Sequence, residues 1–240
     1  MLKKIIVFII FCQTFLISDT LSSHYQTQIK TVNKDIITVQ NNRDVAVGST
    51  GIVLHQFDKD HQTIIAKVEV VSKINDTMML KLSKYLGVKQ DALPSYNITP
   101  QIGDKVILNF LYNRALAIVP NINSYKMVTR SYDNIIWVHP DIFAAKLSID
   151  YTPAPTKKEF QEICSTENIA LLFFHIDKTG YFIDCNSFVT IDTIPLPTTK
   201  DIKLPFYTRI NNIKSRFSAF GADKGITDYN NYYKKLLGIK

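Results

Sequence analysis

The sequence has 240 residues, with 28 Lys and Arg against 21 Asp and Glu, a formal net charge of +7, and 46% hydrophobic residues. That apolar share is ordinary for a globular chain, so a core can be buried, and a disordered or low-complexity protein is excluded. The lysines are spread along the chain rather than gathered on one face with interleaved aromatics. This argues against a nucleic-acid partner, since charge alone bears on solubility.

The chain opens MLKKIIVFIIFCQTFLISDTLSSHYQ. Lys3 and Lys4 precede an apolar run from Ile5 to Ile17, and small polar residues follow from Ser18 to Ser23. That order predicts a secretory signal peptide over 1–23, cleaved somewhere in 18–23. The run is shorter than the roughly 20 residues of a spanning helix, and an uncleaved anchor is the alternative. Cys12 follows the bulky Phe11, which does not suit a lipoprotein site. The expected product is therefore exported, and either soluble or held at a surface by partners.

From 24 to 120 the pattern is nearly all strand. QIKTVNKDIITVQ predicts two short strands about the turn Asn33-Lys34-Asp35. GIVLHQF and TIIAKVEVVSK are β-branched runs joined by the polar loop DKDHQ. TMMLKLSKYL is a strand or a short helix, and GVKQDALPSYNITPQIG is mostly loop. In GDKVILNFLYNRALAIVPN, Val106, Leu108, Phe110 and Tyr112 alternate onto one face. Asn113-Arg114 suits a hairpin tip, with Leu116 and Ile118 returning along the partner strand.

From 121 to 240 helices and strands mix. Asn121 is a candidate N-cap, and Pro140 stands in the first turn of PDIFAAKLSIDY. Thr156 and Glu159 make a capping-box pattern ahead of a helical segment ending at Cys164. IALLFFHI and GYFIDC are strands joined by the tight turn DKTG, and FVTIDTIPL is another. YTRINNI is a last candidate strand, and TDYNNYYKKLLGIK is a terminal helix starting at Thr227. The expected fold is α+β: a small β-barrel or sandwich-like domain over 24–120, then a mixed α/β domain over 121–240.

Candidate sites are few. His55, Asp58, Asp60 and His61 have a metal-site composition, but a hairpin loop is polar anyway, so they read as a solvated tip. Cys164, His175 and Asp177 could supply nucleophile, base and orienter. No nucleophile elbow, phosphate loop or paired metal motif accompanies them. No catalytic residue, metal or cofactor is therefore expected. Cys164 and Cys185 remain after signal removal, either as a disulfide or as two buried thiols. Gly48 and Gly51 in VGSTG allow the backbone to turn into a strand. Lys240 ends the sequence, and a terminal lysine joins an ammonium to a carboxylate on an apolar stem. Lysine-binding kringle modules recognise that pair, although many chains end in Lys by usage alone.

DVAVGSTGIVLH, IIAKVEVV and IGDKVILNFLYNRALAIVPN together resemble the N-terminal domain of the bacterial plasminogen-binding protein family. The resemblance continues through SYDNIIWVHPDIFAAKL, the segment from Cys164 to Cys185, and PFYTRINNI. It implies an exported, non-enzymatic protein of the periplasm, outer membrane or cell surface, with peripheral outer-membrane association, that captures host plasminogen. Lys240, with Lys235 and Lys234, would dock a kringle. The better-known members carry a long Lys/Glu-rich tail after this domain, whereas this sequence stops soon after it. That difference keeps a second reading open, an adaptor that binds another envelope protein.

Overall fold

A computed structural model describes residues 21, 23–85, 98–211, 213 and 225–239. The expected signal segment falls almost wholly outside these residues, as do Lys240 and most of the expected loop after Leu86. Strands β1 (Tyr25–Gln28), β2 (Thr31–Asn33), β3 (Ile36–Gln40), β4 (Thr50–Gln56), β5 (Gln62–Ile74), β6 (Thr77–Ser83) and β7 (Lys105–Leu108) form one antiparallel sheet. Its order is β1-β7-β4-β5-β6-β3-β2. The edge strands β1 and β2 are separated only by Ile29 and Lys30, so one extended stretch supplies both edges. Ile29 N donates to Asp104 O at 3.0 Å, and Lys30 N donates to Thr38 O at 2.8 Å. The sheet therefore curls around a single core that includes Ile37, Val39, Val68, Val70, Leu80, Val106 and Leu108. Register shifts within β4 and β5 help the long strand bend.

The second sheet has the order β12-β11-β10-β8-β9. Its strands are β8 (Arg114–Ile118), β9 (Ile136–Val138), β10 (Leu171–Ile176), β11 (Thr179–Asp184) and β12 (Thr190–Pro195). Strands β9, β8 and β10 run parallel, and β10-β11-β12 run antiparallel. Helix α1 (Ile122–Ser131) covers one face, where Val128 and Tyr132 meet Ala115, Ala117, Phe173 and Phe182. Helices α2 (Pro140–Asp150), α3 (Lys157–Glu167) and α4 (Tyr229–Leu237) share the opposite core. There Phe143, Phe160 and Tyr233 meet Leu116, Ile118, Leu172 and Phe174. Every residue of β10 is buried, as a strand covered on both faces requires. The architecture is α+β, with a curled half-barrel sheet and a second sheet that carries the helices.

The expected hairpin in GDKVILNFLYNRALAIVPN does not form. Strand β7 pairs with β1 and β4, while β8 pairs with β9 and β10 in the other sheet. Asn109 and Leu111 take positive φ values of 56° and 62°, which end β7 and turn the chain across. Alternation identified the faces of the strands but not their partners. Ala115 to Ile118 are buried on both sides, which suits a central strand of a helix-covered sheet.

Three smaller expectations also change. Helix α3 runs past Cys164 to Glu167, where Asn168 caps it in the left-handed region. Asp228, not Thr227, is the N-cap of α4. The described part of YTRINNI contains no strand. The Asn121 cap, the Thr156–Glu159 capping box and the β10–β11 hairpin form as expected. Gly48 has φ +90°, and a Cβ there would lie 2.6 Å from Val189, so its turn needs glycine.

Candidate functional site

Asp184 fastens the two sheets together. It is fully buried at the end of β11. Its Oδ2 accepts from Thr50 N at 3.1 Å, Thr50 Oγ1 at 2.6 Å and Tyr112 OH at 2.7 Å. Its Oδ1 accepts from Asn186 N and Ser187 N, both at 2.8 Å. Ser187 Oγ in turn donates to Gly48 O at 2.7 Å. A buried carboxylate is tolerable only when hydrogen bonds replace its water, and these do so from β4, the crossover and the following turn. Burial pushes the Tyr112 hydroxyl well above its ordinary pKa, and the Asp184 charge adds to that, so it remains a donor. The reading from sequence did not single out Asp184. The signal was an acid inside the apolar run GYFIDC.

Cys164 on α3 is joined to Cys185, which directly follows this carboxylate, with Cα atoms 6.3 Å apart. Helix α3 grips the same turn through Gln161 Nε2, which donates to Asn186 O at 2.7 Å. Phe188 packs on Phe160 of α3.

Open α/β sheets commonly bind ligands outside the carboxyl ends of their parallel strands. Here the segment 196–211 lies across that edge. Lys203 N and Tyr207 N donate to Pro120 O and Val119 O, each at 2.7 Å. Thr208 Oγ1 and Arg209 N donate to Asp141 Oδ1 at 2.7 and 2.8 Å. Phe206 stacks on Phe143 with centroids 5.5 Å apart. Beneath the segment a cavity of about 40 Å³ remains beside Pro120, His175 and Asp177.

Of the three residues considered as a catalytic set, His175 and Asp177 both border that cavity, but their side chains turn to other partners, and Cys164 is held in a disulfide. His175 Nε2 donates to Pro197 O at 3.1 Å, because a carbonyl can only accept. That leaves Nδ1 to accept from Ser124 Oγ at 3.0 Å. Burial pushes the imidazole below its ordinary pKa and keeps it neutral. Asp177 instead pairs with Lys234, and Cys164 is bonded to Cys185.

The polar loop also separates into two pairs. Asp58 Oδ1 accepts from Asp60 N and His61 N, both at 2.9 Å, and from His61 Nδ1 at 2.8 Å. Those backbone bonds, first from Asp60, and the His61 ring hold the exposed carboxylate below its ordinary pKa. His55 Nδ1 turns instead to Asp104 Oδ1 at 2.8 Å. Among the described residues, no group of three metal-ligating side chains converges.

The lysine candidates lie at and beyond the last turn of α4. Two buried tyrosines anchor this helix: Tyr229 OH donates to Ile118 O at 2.8 Å, and Tyr233 OH donates to Pro205 O at 2.9 Å. Lys234 Nζ lies 2.5 Å from Asp177 Oδ2, and that bond raises its pKa. Lys235 is exposed on the same turn. Gly238 caps the helix with φ +67°, and Ile239 packs against the core, so the backbone is held up to the position before Lys240.

None of the curated proteins matches this sequence. A family model described as plasminogen-binding protein pgbA N-terminal matches residues 24–237. That span begins just before β1 and ends with α4, so it takes in both sheets and all four described helices. The chain belongs to the plasminogen-binding protein pgbA N-terminal family.

Proposed function

We propose that this is an exported, non-enzymatic surface or periplasmic protein that captures plasminogen through lysines at its C-terminal end. The family match over 24–237 carries this reading, because the family is named for that binding. The anchoring of α4 supports the choice of residues. Tyr229 and Tyr233 fix the helix, so its last turn is held at a defined place on the surface. Lys235 faces solvent there, while Lys234 is engaged by Asp177. Lys240 follows the packed Ile239 and is the position assigned to kringle docking. A kringle would take its ammonium on acidic groups and its stem on aromatic rings.

Two experiments test this. Cell fractionation with N-terminal sequencing of the mature protein should place cleavage in 18–23 and the product outside the cytoplasm; an intact cytoplasmic protein would contradict export. Incubation of the purified protein with plasma should capture plasminogen, and a free lysine analogue should displace it. If cells crosslinked in vivo yield only envelope assembly components and plasma yields no plasminogen, the adaptor reading replaces this one.

A further inference from the structure

The sheets leave between them a cleft of about 270 Å³, distinct from the C-terminal lysines, since no residue of α4 lines it. Ile52 of β4 and Lys67 of β5 form one wall, Phe110 and Leu111 of the crossover a second, and Ser165 and Asn186 a third. Pockets favour such junctions between structural units, and this one mixes apolar residues with the polar Thr50, Gln161, Asn168 and Asn186. Among the described lining residues, Lys67 carries the one charged side chain. Its ammonium has three N–H donors, and among the described residues its hydrogen-bond partner is the neutral Asn186 Oδ1. Asp184 acts on it through space, but both oxygens of that carboxylate are held by Thr50, Tyr112, Asn186 and Ser187. Burial pulls the Lys67 pKa below the ordinary lysine value, as expected where water is partly excluded.

We propose that this cleft binds a small carboxylate bearing an apolar side chain, with the carboxylate on Lys67 and the side chain against Ile52, Phe110 and Leu111. The Lys67 side chain is partly buried, and its ammonium beside a neutral amide gains from an anion because charge-assisted bonds are stronger than neutral ones. A volume just below the usual range for ligand pockets limits the part of the ligand held inside to about one or two amino acids. The ligand is therefore a free amino-acid-like carboxylate or the C-terminal end of a peptide.

The test is an amide-resonance titration of the oxidised full chain. The probes are N-acetyl-phenylalanine, its uncharged amide, and an acetylated tripeptide ending in phenylalanine. One or both acids should shift the amides of Ile52, Lys67, Ser165 and Asn186, with the amide probe at least about tenfold weaker. Tighter binding of the tripeptide points to a protein terminus, and tighter binding of the single residue points to a free metabolite. Lys67→Met, which keeps the apolar stem, should lose binding by a similar factor. Ser165 is exposed at the rim, so Ser165→Trp should block the cleft with Lys67 in place, even if Lys67→Met fails to fold. Absence of shifts at the cleft, equal affinity for acid and amide, or undiminished binding by Ser165→Trp would each overturn the proposal.

Discussion

The two sheets bury similar residues in different ways. In the curled sheet most strands alternate: β3 reads Ile36-Ile37-Thr38-Val39 with only Ile37 and Val39 buried, while β4 buries Thr50 to Val53 in a row. Away from the buried start of β4, one face encloses the core and the other meets solvent. In the second sheet, β10 buries Leu171 through Ile176 without a break, because helices cover both faces. A strand with two buried faces has twice the side-chain surface at stake, so damage there should spread into two cores.

Substitutions can sharpen or break that contrast. Phe160→Ala removes a ring that meets Phe143, Phe174, Phe188 and Tyr233. It should cost about 3–5 kcal/mol in denaturant unfolding. A cost below about 1 kcal/mol would mean that the helical core is not packed as described. Asp184→Ala leaves the donors of Thr50, Tyr112, Asn186 and Ser187 without their acceptor, and about 3 kcal/mol should be lost. Hydrogen exchange should quicken at Thr50 in the curled sheet as well as at Asn186; a change confined to 184–188 would show that the carboxylate does not join the sheets.

Asp141 gives a smaller, pH-dependent effect. Burial raises its carboxyl pKa, but Thr208, the Arg209 N–H and the Arg209 guanidinium outweigh that and bring it from 3.8 to about 2. The folded value is depressed, so its contribution is present above the unfolded value and disappears as pH falls through about 2. At neutral pH, Asp141→Asn should cost at most about 2 kcal/mol, less in salt because Arg209 is 70% exposed. The difference from the parent chain should vanish in acid; a constant difference across pH would assign the loss to packing. Ile37→Val in the one-core sheet should cost only about 0.5–1.5 kcal/mol, and a larger loss would erase the contrast with β10.

Local chemistry made much of this fold legible in the sequence. Asn121, Pro140 and the Thr156–Glu159 pair mark helix starts that capping rules read directly. Strand partners were not legible in the same way. Asn113-Arg114 has the composition of a hairpin tip, yet β7 and β8 enter different sheets, a choice set by residues far away in sequence. Asp184 and Lys67 were overlooked for a related reason. Asp184 is an isolated charge in an apolar strand, Lys67 shares β5 with Glu69 and Lys73, and their partners lie at Thr50, Tyr112 and Asn186, which no local spacing brings together.

The most direct measurement is an equilibrium titration of plasminogen with the mature chain, with and without Lys240, in the presence and absence of a free lysine analogue. Lysine docking predicts that removal of Lys240 lowers affinity at least about tenfold and that the analogue displaces the intact chain. Equal binding by both chains, undisturbed by the analogue, would contradict it.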